Sequence, residues 1–394
     1  MRKLRKCPAC DGHVDVATGE NVLWRDVKSG NVVEAPAGGV PDPLRRPYCG
    51  NPQPESRRVA NPMSTAVPLC RTQLAAGDVL AGALLGPVRA GKSRIFRELW
   101  SGSGGRDIGG VVLYPADDSA HLVTRDAEEG KATSPGKNRE RPAILGAIPE
   151  GRQAPFSMML LDLAGEEFKQ NPDRAESDEI LSWGFLSELD LIVFAVPPFE
   201  LTSLREDRIR IDSVARERAR PADAPEDPSS SGFDEQKRRF NYVHYFAQLK
   251  RVFADCEKPR TVVFALTKCD RYRDVKGFPQ EFLEAPAAIG GADARAWQQE
   301  TGKLMEFMAR FGAMPMLNAA SRLFSDYSVV AVSGTGRDYE TPQERAGLEE
   351  SSNPGDGAPG RALDPYLIAW DRRSLVCHGT KPAGETSRLR WRNS

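Results

Sequence analysis

Residues Gly86 to Ser93 read GPVRAGKS and match the pattern G-x-x-x-x-G-K-[ST], in which a glycine-rich turn wraps a phosphate group. The pattern carries weight only between a strand and a helix. Val79 to Leu85 before it is an unbroken apolar run, and Ser93 to Trp100 after it has helical spacing. Gly86 opens the turn, and the backbone N–H groups of Arg89, Ala90, Gly91, Lys92 and Ser93 would surround a phosphate at a helix N-terminus, with Arg94 next in line. The helix dipole favours negative charge at that point. Lys92 is expected to bridge the outer phosphates of a nucleotide, and the Ser93 hydroxyl to ligate Mg²⁺.

Working outward, short β-rich apolar runs alternate with longer segments of helical period, the pattern of a mostly parallel sheet flanked by helices. Strands are expected at Val79 to Leu85, Val111 to Tyr114, Ala143 to Ile148, Ser157 to Asp162, Leu191 to Val196, Thr261 to Leu266 and Ser328 to Val332. Helices are expected at Ser93 to Trp100, Ser177 to Glu188, Asn241 to Phe253 and Ala292 to Phe311. The last helix puts Trp297, Leu304, Met308 and Phe311 on one face, a core-packing pattern.

Downstream of the turn, Met158 to Asp162 is an apolar strand that runs into Asp162-Leu163-Ala164-Gly165-Glu166. Further on, Thr261 to Leu266 leads into Thr267-Lys268-Cys269-Asp270, and Val329 to Val332 into Ser333-Gly334. In this order the motifs resemble the small-GTPase-like, translation-factor-related P-loop GTPases, over roughly residues 71–375. The resemblance implies an α/β Ras-like G-domain that binds GTP or GDP with Mg²⁺. It also implies that Asp162 holds Mg²⁺ through water, and that the Gly165 N–H senses the γ-phosphate ahead of a second switch. Thr267-Lys268-Cys269-Asp270 is similar to the family's [NT]-K-x-D, whose carboxylate, here Asp270, accepts from guanine N1–H and N2–H₂. Adenine offers neither donor there, and an unpaired buried carboxylate costs about 1–3 kcal/mol or more. Ser333 and Gly334 resemble the loop whose backbone contacts the guanine oxygen.

The switch threonine is assigned to Thr133, in a polar stretch before the Ala143 strand, in preference to Thr124. Two departures bear on catalysis. Glu166 stands where signalling relatives usually carry Gln, and either acts as a base or slows the reaction. Val88 stands where relatives often keep Gly, and its side chain would crowd an arginine supplied by a partner. Slow intrinsic hydrolysis is the expectation, with Lys92, Thr133 and Glu166 as the catalytic set. A non-hydrolysing guanine-nucleotide scaffold and an adaptor built on the N-terminal cysteines are the competing readings.

Cys7-Pro8-Ala9-Cys10, followed far downstream by Arg46-Pro47-Tyr48-Cys49-Gly50, looks like a zinc ribbon, whose two knuckles place four ligands around one metal. Arg46 stands where the second knuckle would carry its first cysteine. Cys7, Cys10 and Cys49 are therefore three candidate ligands, with His13, Asp11 or Cys70 open as the fourth, and a decayed ribbon that folds without metal is the alternative. The expected organisation is a small β module at 1–50, a Pro-rich linker at 51–70, the G-domain at 71–375 with polar insertions at about 204–240 and 337–361, and a polar tail at 376–394.

The 394 residues, 40% hydrophobic and 28% charged, can bury one large core with a small accessory. A net charge of −1 gives no general attraction to nucleic acid, so such a partner would need a local basic patch. Seven cysteines do not suggest a disulfide framework, and no apolar run approaches the roughly 20 residues that span a bilayer. A cytoplasmic protein with no membrane partner is expected. The cysteine knuckle, the D-L-A-G-E run and the long polar insertions look most like bacterial GTPases of the double-GTPase type found in conflict or defence gene clusters. That looser resemblance implies a switch that works with a protein partner, a neighbouring GTPase or an effector.

Overall fold

The computed structural model of the chain describes residues 5–37, 44–53, 69–86, 90–92, 95, 111–115, 143–149, 156–162, 189–197, 242, 246–247, 249–250, 261–269, 275, 277–279, 281–284, 294–324, 326–332, 364–366 and 368–369. Three short strands open the chain: β1 (Val22–Asp26), β2 (Val32–Val33) and β3 (Arg45–Cys49). They pair antiparallel in the order β2-β1-β3. Trp24 and Cys49, both buried, lie on the inner face of this small sheet.

Seven further strands follow: β4 (Val79–Leu85), β5 (Val111–Pro115), β6 (Ala143–Pro149), β7 (Phe156–Asp162), β8 (Leu191–Val196), β9 (Thr261–Thr267) and β10 (Ser328–Val332). They form one sheet in the order β10-β9-β8-β4-β7-β6-β5. The strands from β10 to β7 run parallel; β6 alone is reversed, pairing antiparallel with β7 on one side and with the edge strand β5 on the other. The expected strands are all present, with ends shifted by a residue at most. The reversal of β6 is an addition that apolar runs alone do not encode.

Every residue of β4, β8, β9 and β10 is buried, which is why these segments read as continuous apolar runs and not as alternating ones. Successive side chains of β4 enter two separate cores. Val79, Ala81, Ala83 and Leu85 join the larger one, Leu80 and Leu84 the other. The larger core holds an aromatic group in which Phe194 stacks on Phe264 at 5.1 Å and Phe246 meets both edge-on. Tyr242, Phe246 and Leu249 reach this core from helical turns within 242–250, inside the expected helix. On the opposite face, Tyr366 covers Gly82, where an added Cβ would lie 3.3 Å from its ring.

The helices α1 (Glu281–Glu284), α2 (Ala294–Met308) and α3 (Met314–Leu323) precede β10. The helix expected to run to Phe311 ends at Met308, in a wider turn at Ala309–Ala313. Gly312 there takes a left-handed φ of 93°, which breaks the helical track. Trp297 also packs in a different core from Leu304 and Met308, so the single apolar face expected of this helix serves both sides of the sheet. α3 was not expected from the sequence. Pro315 begins it, since proline is tolerated in a first helical turn. The expected helices at Ser93 to Trp100 and Ser177 to Glu188, the two polar insertions and the tail lie largely or wholly outside the described residues. No helix among the described residues is long and apolar enough to cross a membrane.

Phe264 is fully buried between Phe194, Phe246 and Tyr327. Phe264→Ala is expected to lower stability by about 3–5 kcal/mol, read as a lower urea midpoint at an unchanged slope.

Candidate functional site

Strand β4 sits where the chain changes direction across the sheet. The segments that follow it build β5, β6 and β7 on one side, and β8, β9 and β10 occupy the other. In open α/β sheets the crevice beyond the C-terminal ends of the strands at such a point is where ligands bind. Gly86 leaves β4 at that point with φ +148°, and a Cβ there would lie 2.7 Å from the Ala195 carbonyl oxygen of β8. No side chain fits, so the first glycine of the motif is a steric requirement.

The described part of the loop is drawn together by three contacts. Lys92, almost fully buried, donates from Nζ to the Gly86 carbonyl oxygen at 2.8 Å. The Thr267 hydroxyl donates to the Ala90 carbonyl oxygen at 2.7 Å. Gly91, with φ +88°, turns its α-carbon toward Lys268, whose Cε lies 3.7 Å from where a Cβ would stand. Lys268 itself has φ +56°, an uncommon conformation for a residue with a side chain, and this lays its stem along the loop. Ile95 N–H then donates to the Gly91 carbonyl oxygen at 3.1 Å, the first turn after the loop.

Of the residues assigned to this site, Gly86, Ala90, Gly91, Lys92, Thr267 and Lys268 are thus brought together at the ends of β4 and β9. Asp162 ends β7, in register with Leu84 of β4, so its backbone lies beside the loop. Arg89, Ser93, Arg94, Thr133, Gly165, Glu166, Asp270, Ser333 and Gly334 lie outside the described residues. Two groups in the vicinity were missed from sequence. The Ala195 carbonyl forms the wall behind Gly86, and the Tyr242 hydroxyl donates to that same oxygen at 3.0 Å. Neither carries a motif, because both act through tertiary placement.

A second cluster lies in the N-terminal module. The Sγ atoms of Cys7, Cys10, Cys49 and Cys70 all lie within 4.8 Å of one another. Cys7 to Cys70 is 3.8 Å and Cys10 to Cys49 is 3.7 Å. Four thiolates about 2.3 Å from one tetrahedral zinc stand about 3.8 Å apart, so the spacing fits the metal. These distances are well beyond the ~2.05 Å of a disulfide, and all four cysteines are free. Cys7 and Cys10 sit on a tight turn closed by Asp11 N–H to the Cys7 carbonyl at 2.9 Å. Cys49 ends β3. Cys70 arrives on a returning segment that pairs with it, through Cys49 N–H to the Thr72 carbonyl at 2.8 Å and Arg71 N–H to the Cys49 carbonyl at 3.0 Å.

Of the three candidates for the fourth ligand, the structure brings in Cys70. The His13 imidazole is exposed and faces Glu20 at 3.5 Å, outside the cluster, and Asp11 contributes no ligand atom to it. Cys70 comes from the end of the stretch expected to be linker, and Leu74 N–H donates to the Pro47 carbonyl at 2.9 Å, so 69–74 is laid along β3. Hydrogen bonding within the cluster, with Cys10 and Cys49 the strongest partners, pushes the Cys7 and Cys10 thiols up and holds Cys49 and Cys70 down. A divalent cation would take the place of the thiol protons. Outside the cluster, Asn51 Nδ2 donates to Cys49 Sγ at 3.4 Å, and the Thr72 hydroxyl lies 3.2 Å from Cys70 Sγ. Such contacts orient metal ligands.

No protein-family model matches the chain, and no curated protein matches it. Among solved structures, the chain is similar to a GDP complex of SsGBP, at 10% identity over 76% of this chain and 51% of that one, with a TM-score of 0.29. It is similar to Sup35 complexed with GDP, at 12% identity over 65% and 37%, with a TM-score of 0.26. It is also similar to an ADP-ribosylation-factor-like GTP-binding protein, the small COPII coat GTPase SAR1 from Encephalitozoon cuniculi, in complex with GDP. There the identity is 11% over 76% and 84%, with a TM-score of 0.29. The chain spans about half the length of the SsGBP structures it matches, between 51% and 58%. At these scores the likeness assigns no residue a role.

A protein purified in the presence of zinc is expected to carry one zinc per chain by elemental analysis. Cys70→Ser is expected to lose most of that metal, whereas His13→Ala retains it; the reverse pattern removes Cys70 as a ligand.

Proposed function

We propose that the chain is a guanine-nucleotide-binding protein with an N-terminal module held by a four-cysteine zinc site. One observation carries the nucleotide reading. The Thr267-Lys268 turn is stitched onto Ala90 and Gly91 of the glycine-rich loop, at the point where the sheet changes direction. A phosphate cradle and a base-reading segment are useful to the same ligand only when joined at this spacing. The residue after next, Asp270, has the carboxylate that selects guanine over adenine.

In this reading Gly86, Arg89, Ala90, Gly91, Lys92, Ser93 and Arg94 hold the phosphates, and Ser93, Thr133 and Asp162 hold Mg²⁺. Gly165 senses the γ-phosphate, while Thr267, Lys268, Asp270, Ser333 and Gly334 hold the base. Lys92 sits at the mouth of the loop on the Gly86 carbonyl, a neutral acceptor that a charged phosphate oxygen outcompetes. Hydrolysis is slow, because Glu166 adds negative charge near the γ-phosphate and Val88 crowds the route of an external arginine. The protein works as a switch toward a protein partner or a neighbouring GTPase. The resemblance to GTPases of conflict gene clusters supports that role.

Titrations with GTP, GDP and ATP in Mg²⁺ are expected to show both guanine nucleotides bound well ahead of ATP. Lys92→Ala should weaken GTP by about tenfold or more, the loss of a charge-assisted hydrogen bond. Asp270→Asn should erase the preference over ATP, and an unchanged preference would remove Asp270 from the base site. Turnover by the isolated protein is expected well below about one per second, in the range of unassisted GTPases. A single-turnover assay showing no cleavage at all would favour the non-hydrolysing scaffold.

A further inference from the structure

Among the described residues, strand β10 is the outer strand of the sheet on the side away from β5, and in sequence it is followed directly by Ser333 and Gly334. One edge of it pairs with β9. On the other edge, alternate residues turn their backbone groups away from the sheet, and α2 meets them with side chains. The Thr301 hydroxyl accepts from Val329 N–H at 3.0 Å and donates to the Val329 carbonyl at 3.3 Å. Glu300 Oε1 accepts from Ala331 N–H at 3.2 Å, and Glu300 is only 3% exposed. The two neighbours on α2 therefore hold two different ends of one strand. Thr301 holds the end remote from the phosphate loop and Glu300 the near end. Ala331 precedes Val332, which is in register with Thr267, the residue whose hydroxyl fixes Ala90.

We propose that Glu300 is a positioning residue for base recognition: its buried carboxylate sets the pose of the strand end from which the base-contacting loop departs. The inference rests on the guanine reading of that loop. Glu300 has a placement here that Thr301 lacks. Its buried carboxylate accepts from the N–H of the residue just before Val332, at the end of the strand that lies beside Thr267. The backbone N–H of Ala331 cannot move outward without leaving that acceptor. Losing it frees the last residues of β10 on their unpaired side, while β9 continues to hold the other.

The experiment compares GTP and ATP affinities for the full chain and for Glu300→Ala, Glu300→Gln and Thr301→Val, each with its urea midpoint. Glu300→Ala is expected to cut the GTP-over-ATP ratio by about tenfold, the loss of one hydrogen bond to the base. Glu300→Gln keeps an acceptor oxygen in place and should restore most of the ratio. Thr301→Val removes the same kind of edge contact at the remote end, so it should lower the urea midpoint and leave the ratio intact. If Glu300→Ala lowers only the midpoint, as Thr301→Val does, Glu300 is edge cover alone and the inference is overturned. A parent chain with no preference for GTP removes the guanine reading and this inference together, whereas a parent preference that Glu300→Ala leaves intact removes this inference alone.

Discussion

The approach of the Gly86 backbone to strand β8 is the constraint on which the rest of the site depends. With the Ala195 carbonyl oxygen 2.7 Å from where a Cβ would stand, the chain can leave β4 only through glycine. Residues 90–92 lie back over the strand ends. That placement brings Lys92 within reach of the Gly86 carbonyl and Ala90 within reach of Thr267. Each of these hydrogen bonds is worth only about 1 kcal/mol net. Their joint effect is larger than their sum suggests, since all of them constrain the same short loop. Tyr242 adds a further hold on the Ala195 carbonyl from a helical turn on the aromatic side of the sheet. The loop is thus shaped by the sheet beneath it, and a ligand would meet backbone already turned toward it.

Much of the sheet was legible because its central strands are buried on both faces. A segment such as Leu191–Val196, with every residue buried, must be apolar throughout and can be little else. Direction and order are not written in such runs, so the antiparallel edge of β6 and β5 emerged only from pairing. Helix ends were less legible. The single helix expected to run to Phe311 stops at Met308; Gly312 breaks the helical track in the wide turn that follows, and Pro315 sits in the first turn of the next helix. At the site, motif positions such as Gly86, Lys92 and Lys268 were legible by type and spacing. The bonds that join them were not, because a threonine hydroxyl on a carbonyl many residues away leaves no periodic trace.

The cysteine cluster shows the same limit in a sharper form. The first two cysteines are fixed by local geometry, since a tight turn brings Cys7 and Cys10 together. The other two come from separate segments aligned by an antiparallel pairing, in which Cys49 exchanges backbone bonds with Arg71 and Thr72 and the Cys70 N–H donates to the Asn51 carbonyl at 2.8 Å. Spacing in sequence is irrelevant to that pairing, whatever the chain between them does. Arg46, in the place where a local knuckle would require cysteine, instead lies in β3 opposite Arg25. A search for a second knuckle therefore looks in the wrong place, and the ligand appears only when the register is known.

The same pairing joins the cysteine module to the sheet. Beyond Cys70 the chain continues through Leu74 and Ala75, both buried in the larger core, directly into β4. On the way the Ala76 carbonyl accepts from the Ser157 hydroxyl at 3.1 Å, and the Asp78 carbonyl accepts from Ser157 N–H at 2.8 Å. The segment is held by the module on one side and by β7 on the other. A metal bound to four thiolates contributes its binding free energy to folding of whatever those ligands close. Here that includes the lead-in to the strand whose far end carries the glycine-rich loop, about 23 Å away at strand rise. β4 is buried along its whole length between β7 and β8, so it cannot slide independently of its neighbours. The segment that carries Cys70 is thus continuous, through buried Leu74 and Ala75, with the central strand of the sheet.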